Sequence, residues 1–193
     1  MKRVQLFLLF LCLFVSHLSA QTAVYCPEAG IFSSTIAALN INKDTITYLK
    51  VGGVIDARDF KEIKYFSKLK SIDMSKVTIN AYTGLDGTAN AKFVDDVEVP
   101  TIYLANEIPE YGISGGVERF VFPYSIKKVG DYLFSNHGIK EVVFPPKLDS
   151  VGKYAFAECV YLKKVVIPAN STPSSLSISF AACTAVPASK PPS

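Results

Sequence analysis

The sequence contains few of the residues from which reactive centres are built. Its 193 residues include two histidines and four cysteines, and one of each lies within the first twenty positions. Neither a glycine-rich phosphate loop nor a Gly-x-Ser-x-Gly nucleophile motif is present. We therefore expect no catalytic residues, no cofactor and no metal site, and the chain is not predicted to be an enzyme.

A cysteine–histidine pair would have to use His137. However, His137, Cys159 and Cys183 each stand three residues after a phenylalanine of the repeat described below. Copies of one position in a stack of repeats lie along a line, about 4.8 Å apart, rather than converging on one point. We interpret these residues as a structural column. Three cysteines lie beyond the first twenty residues. This odd number at wide spacing does not indicate a disulfide framework, and we expect Cys159 and Cys183 to be buried, reduced thiols.

A strong excess of charge of one sign is also lacking. Twenty Lys and Arg residues oppose 17 Asp and Glu residues, and two of the basic residues belong to the N-terminal segment discussed next. This balance gives no basis for nucleic-acid binding. Asp95, Asp96 and Glu98 are close together in sequence, but they lack the Asp-x-Asp-x-Asp-Gly spacing of a calcium loop. We interpret them as part of a solvated loop.

The longest uncharged apolar run stands at the start of the chain. Lys2 and Arg3 precede the run Leu6–Val15, after which residues 16–20 become small and polar. This order is typical of a secretory signal peptide, and the run is too short to span a bilayer. We predict a signal peptide over residues 1–20, no membrane span, and a location outside the cell or on its surface, with the periplasm as an alternative.

Internal repetition with a period of 22–24 residues is the main positive feature. Val117–Pro123 recurs as Ile139–Pro145 and as Leu162–Pro168. Between these copies lies a second recurring piece, Val129–Phe134, which returns as Val151–Phe156. A fixed period of this length is typical of solenoids, because one such repeat cannot bury its own apolar face and a stack of them can.

The apolar pattern within each repeat predicts which side chains point inward. Positions one, four and six of a short strand are apolar, and proline ends the strand. Gly130 and Gly152 stand where we expect the chain to bend around the coil, and the Tyr and Phe residues that follow are expected to return to the core. The predicted inward residues are Leu49, Val51, Ile72, Met74, Phe120, Phe122, Phe134, Val142, Phe144, Phe156, Val165, Ile167 and Phe180.

These patterns predict an α/β solenoid that is mainly β. It is a right-handed leucine-rich-repeat coil with one short parallel strand per repeat, over residues 46–186, followed by a Pro-rich tail at 187–193. Apolar residues within Ala29–Leu39 predict a helix, which would belong to an N-terminal cap over residues 21–45. Residues 80–107 interrupt the pattern. They are either a long loop inserted in one coil or a segment that hides a weak extra coil around Val97–Leu104.

The chain resembles the BspA-like leucine-rich repeats of secreted and cell-surface proteins of Bacteroides-type bacteria. The resemblance rests on Ala29–Gly30, Val54–Phe60, Leu69–Ser75, Ala105–Tyr111 and the three C-terminal repeats. It departs at Ile113, where the family usually has an aromatic residue, and at residues 169–179, where the glycine of the coil is missing. The resemblance implies an adhesion or interaction protein without catalytic activity, and it offers no catalytic residues to carry over.

Positions three and five of each strand are predicted to face outward on the parallel sheet. In the last three repeats these positions hold Arg119, Val121, Glu141, Val143, Lys164 and Val166. A strip of valines beside alternating charges predicts a contact face for a protein or glycan partner. An alternative explanation is that valine is simply a good strand former.

Two further alternatives stay open at this stage. The insertion at residues 80–107 is the rival binding element, since functional residues favour loops held on a rigid scaffold. The linker-like tail, and the lack of a convincing cap after Phe180, favour instead a structural spacer that associates end to end with its own copies. An enzyme is the remote alternative.

Overall fold

The computed structural model describes residues 21–113 and 116–168. The predicted signal peptide, Phe180, Cys183 and the Pro-rich tail lie outside the described residues. In chain order the elements are β1 (Thr22–Cys26), α1 (Phe32–Ala38), a 3-10 turn (Lys43–Thr45), β2 (Tyr48–Ile55), α2 (Ala57–Ile63), β3 (Ser71–Ile79), β4 (Tyr82–Gly84), β5 (Lys92–Val94), β6 (Val97–Val99), β7 (Thr101–Tyr103), β8 (Glu107–Ile108), β9 (Arg119–Val121), β10 (Lys128–Val129), β11 (Glu141–Val143), β12 (Ser150–Val151) and β13 (Lys164–Val166).

Most of these strands belong to parallel sheets, in agreement with the predicted mainly-β repeat fold. The main sheet has the order β1-β2-β3-β9, and the pair β11-β13 continues the series beside it. A second parallel sheet, in the order β12-β10-β8, is built from the other short strand of successive repeats. The repeats that begin at Val117 and Ile139 therefore each contribute one strand to the main series and one to the second sheet.

The register of the strands places equivalent repeat positions side by side. Ile72 lies opposite Leu49 in β2 and opposite Phe120 in β9, and Val142 lies opposite Val165. Inward residues of successive repeats therefore stack into one core. Among the predicted inward residues, those that are buried are Leu49, Val51, Ile72, Met74, Phe120, Phe122, Phe134, Val142, Phe144, Phe156 and Val165, and Ile167 packs partly buried against them.

The N-terminal segment contains a strand that the pattern did not predict. Thr22–Cys26 pairs in parallel with β2, so the sheet begins within the segment assigned to the cap. The helix α1 is shorter than the predicted Ala29–Leu39. Its side chain Phe32 is fully buried and its ring lies 6.1 Å from that of Phe66. The capping role of this segment stays a prediction.

A buried carboxylate fastens this segment to the next repeat. Asp59 accepts hydrogen bonds from the backbone N–H groups of Gly30 (2.7 Å), Phe32 (2.9 Å) and Asp56 (2.8 Å). Asp56 in turn caps the helix α2 and completes a capping box with Asp59. Burial raises the pKa of Asp59 more than these hydrogen bonds lower it.

Gly130 and Gly152 stand at the predicted bends, but the need for glycine there has a cause other than its backbone freedom. Gly130 and Gly152 do not have positive φ angles. A Cβ atom built at Gly130 would collide with the backbone nitrogen of Glu110. A Cβ atom built at Gly152 would lie 2.5 Å from the backbone nitrogen of Asp131. The predicted bends are present, since turns begin directly after both glycines, but they require no positive φ. Glycine is needed here because the backbones of adjacent repeats approach too closely for any side chain.

The prediction that Tyr and Phe both return to the core is correct for Phe alone. Phe134 and Phe156 are buried, but Tyr154 is 44% exposed and Tyr132 is half-buried. Both tyrosines have left-handed backbone conformations, with φ of 56° and 55°, and their rings stack on each other at 5.3 Å. The stack continues to Tyr111 at 5.0 Å, and none of the three tyrosines belongs to the buried core.

Residues 82–103 form a two-part antiparallel hairpin, which we name the arm. β4 pairs with β7, and further out β5 pairs with β6. The segment around Val97–Leu104 thus pairs antiparallel within the arm, and it is neither a structureless loop nor an extra coil with a parallel strand. The arm is attached at its base, where the guanidinium of Arg58 lies 4.8 Å from the centroid of the Tyr82 ring and the Thr88 hydroxyl donates to the Glu110 carbonyl at 2.6 Å.

Candidate binding surface

The six residues predicted to form a contact face lie in two rows across the parallel strands; we name them the sheet face. Arg119, Glu141 and Lys164 are all exposed. Of the valines, Val143 is 53% exposed, whereas Val121 and Val166 are half-buried. The rows are in register, since Glu141 lies opposite Lys164 and Val143 opposite Val166.

A groove of about 970 Å³ opens on this face between β9 and β11. It exists because the two strands lie in separate sheets and share no ladder. The backbone bond at its entrance, from the Lys140 N–H to the Glu118 carbonyl, is long at 3.4 Å. Four residues of the sheet face line the groove, namely Arg119, Val121, Glu141 and Val143. Lys164 and Val166 lie beyond its edge, on β13.

Aromatic side chains form the base of the groove. Phe120, Phe122 and Phe144 line it from within the core, and the ring centroids of Phe120 and Phe122 are 4.8 Å apart, in an edge-to-face arrangement. Such packed rings hold their positions without any bound partner. The groove therefore has an apolar base that is rigidly supported from below.

A second group of residues that line the groove was not predicted from the sequence. Tyr124 is 64% exposed, and it lines the groove together with Pro146 and Lys76. Tyr124 and Pro146 directly follow the strand-ending prolines Pro123 and Pro145. That position, just beyond the strand, is the signal that could have identified them. The position of Lys76 could not be predicted in this way. A bulge shifts the register between β2 and β3 just before Lys76, so the repeat spacing no longer gives its place on the sheet.

Acidic groups of the groove are already engaged by lysines. Glu118 lies 2.6 Å from Lys140 and 3.7 Å from Lys70, and the hydrogen bond from Lys140 lowers the pKa of Glu118. Glu141 lies 2.6 Å from Lys164 on the neighbouring strand. Ion pairs this exposed add little to stability. Their effect is to neutralise the carboxylates along the rim.

Two cations of the rim have no such partner. Lys76 and Arg119 are exposed, and they form none of the salt bridges found within the described part of the chain. Arg119 does influence Asp73 at longer range. Burial would raise the pKa of Asp73, but hydrogen bonds from Ser75 and the charges of Lys50 and Arg119 together hold it below its usual value. The rim of the groove is thus locally basic.

The histidine and cysteine positions have structural surroundings. His137 is buried, its Nδ1 lies 2.8 Å from the Ser135 carbonyl, and burial lowers its pKa. The Cys159 thiol is buried and donates to the Phe134 carbonyl at 2.9 Å. At Cys26, burial, assisted by the charge of Asp59, raises the pKa to about 11, which makes this thiol a weak nucleophile. Cys183 lies outside the described residues, so a pairing with Cys159 stays untested.

The described part of the chain contains neither a metal-binding cluster nor a membrane-spanning helix. Across residues 21–113 and 116–168, no group of three His, Cys, Asp or Glu side chains is arranged to hold a metal ion. Over the same ranges, every helix is too short or too polar to cross a membrane.

Comparison with known families gives one match. Residues 111–192, rather less than half of the chain, match the family described as the BspA type leucine rich repeat region, in six copies. The match includes β9, β11 and β13 and therefore the whole of the sheet face. A search of curated proteins finds no match.

Proposed function

Because residues 111–192 are a BspA-type leucine-rich repeat region, we propose that this chain is a secreted or cell-surface binding protein without catalytic activity. It contacts a protein or glycan partner through the sheet face. The observation that carries this proposal is the open groove between β9 and β11, with its apolar base and charged rim. Repeats of this family suggest an interaction role, and the groove supports the sheet face as the contact surface.

The composition of the groove suits a macromolecular partner. Protein interfaces combine an apolar, aromatic centre with a polar rim, and the groove has Phe120 and Phe122 at its base and Arg119 and Glu141 at its rim. Val143, at the middle of the face, is more than half exposed. A partner that covered it would remove apolar surface from water, while the rim charges would select the register.

Other functional classes have less support. Repeats of this family are typically non-catalytic, and the buried environments of His137 and Cys159 provide no accessible nucleophile. The near balance of charge argues against nucleic acid as the partner. A location outside the cell rests on the predicted signal peptide and on the family, whose members are commonly secreted or surface proteins.

Partner capture tests the proposal. The mature chain, immobilised at low density, would be exposed separately to host extracellular matrix and to bacterial envelope fractions. A captured partner would then be rebound to Val143→Asp with Arg119→Glu, and to a chain lacking residues 84–96. Loss of binding in the first variant alone, with an unchanged melting temperature, supports the sheet face. Loss in the deletion alone would move the contact to the arm and refute this proposal.

A further inference from the structure

The outer hairpin of the arm is an apolar element without a covering layer. Val94 is 58% exposed, Val97 is 64% exposed and Phe93 is 63% exposed. Val94 and Val97 are directly opposite each other in the β5–β6 pair, so they form one apolar patch. A two-stranded hairpin is only marginally stable by itself in water, and a contiguous exposed apolar patch is a candidate contact surface.

The end of this hairpin carries two negative charges. Asp95 and Asp96 form its two-residue turn, with φ angles of 49° and 61°, which are the left-handed values that such a hairpin turn requires. Both side chains are exposed, and neither forms a salt bridge within the described residues. The tip thus presents two carboxylates directly beside the patch of Val94 and Val97.

The groove of the sheet face has the complementary arrangement. Its apolar wall includes Val121 and Val143, and its rim carries the two cations without salt bridges, Lys76 and Arg119. The acidic groups of the rim are neutralised by lysines, as described above. Two carboxylates beside two valines therefore match two cations beside two valines. A volume of about 970 Å³ is at the upper end of the range of about 300–1,000 Å³ found for ligand pockets.

The tip and the groove of one molecule belong to different sides of the fold. The arm is attached to α2 through Tyr82 and to Glu110 through Thr88. Its residue Lys92 lines a cleft together with Lys128 and Asp131, beside the second sheet. The groove opens on the main sheet, between β9 and β11. A contact between tip and groove therefore requires two molecules.

We propose that the hairpin tip of one copy, residues 93–97, occupies the groove of a second copy, so that the chain associates head to tail. The contact uses a different surface on each molecule, and repetition therefore builds an open chain or a ring rather than a closed twofold dimer. This inference relies on the proposed function for the choice of the groove as a contact site, and it identifies a second copy as one partner of that site.

Two charge-reversal variants test the head-to-tail contact. The tip variant is Asp95→Lys with Asp96→Lys, and the groove variant is Lys76→Glu with Arg119→Glu. Analytical ultracentrifugation at low ionic strength should show that the mass of the wild type rises beyond a dimer with increasing concentration. Each variant alone should associate at least about tenfold more weakly, because like charges then face each other across the contact.

Mixing the two variants provides the decisive step. In the mixture, the intact groove of the tip variant can accept the intact tip of the groove variant, so association should return. Glu28→Lys with Asp149→Lys changes the charge as much as the tip variant does, at exposed sites outside both surfaces, and should behave as the wild type. Val94→Thr with Val97→Thr should also weaken association, without any change of charge.

Several outcomes would overturn the inference. They are a wild type that stays monomeric at all concentrations, variants that associate as strongly as the wild type, a mixture that does not associate, or a control that loses association. A monomeric wild type that still captures a partner through Val143 and Arg119 would remove this inference and leave the proposed function standing. If association follows the predicted pattern but no external partner is captured, the head-to-tail inference stands and the proposed function loses its support.

Discussion

The coils and the arm use the same kinds of residue in opposite ways. Phe134, in a coil, is fully buried, and its ring lies within 5.1–6.0 Å of the rings of Phe120, Phe122 and Phe156. Phe93, in the arm, is 63% exposed. Stacked coils give each aromatic ring neighbours above and below, whereas a hairpin of two strands gives it none.

This difference separates stability from recognition. The coils hold the strands of the sheet face in register through a continuous core, and a rigid base of this kind can support a contact surface. The arm is attached at its base and carries its apolar residues outward. We therefore expect changes in the coils to affect folding and changes in the arm to affect association.

The largest effect is expected for loss of a coil phenylalanine. Phe134→Ala, or Phe156→Ala in the next coil, should lower the free energy of unfolding by about 3–5 kcal/mol, because it leaves a cavity in a packed core. Urea unfolding followed by circular dichroism would measure the change. Phe93→Ala is the matched control, with an expected change within about 0.5 kcal/mol. Similar effects at Phe134 and Phe93 would mean that the coils are not packed as described.

A smaller effect is expected at the carboxylate that fastens the N-terminal segment. Asp59→Asn replaces one carboxylate oxygen by an NH2 group, which cannot accept a hydrogen bond, so at least one of the three backbone N–H groups loses its acceptor. An unsatisfied buried donor should lower the free energy of unfolding by about 1–3 kcal/mol. Asp95→Asn, on the exposed tip of the arm, is the control and should change the free energy of unfolding by less than about 0.5 kcal/mol. An Asp59→Asn variant as stable as the wild type would show that the three hydrogen bonds are not formed.

The coils also contain one buried titratable ring, so their stability should depend on pH. Burial lowers the pKa of His137 in the folded state. The contribution of the neutral ring to the free energy of unfolding is therefore fully present above the unfolded pKa of about 6.5. It is lost as the pH falls through the lower pKa of the folded state. His137→Cys inserts the residue that the next repeat has at this position, and it should reduce the loss of stability between pH 7 and pH 5. Parallel unfolding curves, under reducing conditions, would measure it. Equal losses in both proteins would contradict the buried position of the ring.

The smallest effect on stability is expected when the outer hairpin is removed. Replacing Lys92–Val99 by an Asn-Gly turn leaves the inner pair β4–β7 in place. The free energy of unfolding should stay within about 0.5 kcal/mol of the wild type, as for other changes at exposed positions. A large destabilisation would show that the arm is part of the core structure, and it would remove the distinction between coils and arm.

The sequence predicts the coils well because their physical rule is periodic. The spacing of apolar residues specifies which side chains point inward, and Ile72 and Val142 take the positions that this spacing requires. Alignment of the repeats also predicts that Glu141 lies opposite Lys164, and the register of β11 and β13 confirms it. The groove beside them could not be predicted, since it depends on a missing ladder between β9 and β11 that no residue type indicates.

Three features that do not follow the repeat pattern were not predicted, and each has a physical reason. Val24, Cys26 and Pro27 match the fourth, sixth and seventh positions of a repeat, but Gln21 stands at the apolar first position. Only the pairing with β2 reveals the strand Thr22–Cys26. The left-handed conformation of Tyr132 and Tyr154 is unusual for such a residue and has no sequence signal. The arm has alternating valines at Val97 and Val99, but a turn of two aspartates does not resemble the Asn-Gly and Asp-Gly turns typical of hairpins.

The most direct test of the central claim is amide hydrogen exchange of the chain with and without a captured partner. The measurement should be made at a dilution at which the chain is monomeric. We expect the partner to slow exchange in β9, β11 and β13, at residues 119–121, 141–143 and 164–166, and to leave exchange in the arm unchanged. Slower exchange confined to residues 82–103, with β9, β11 and β13 unaffected, would contradict it.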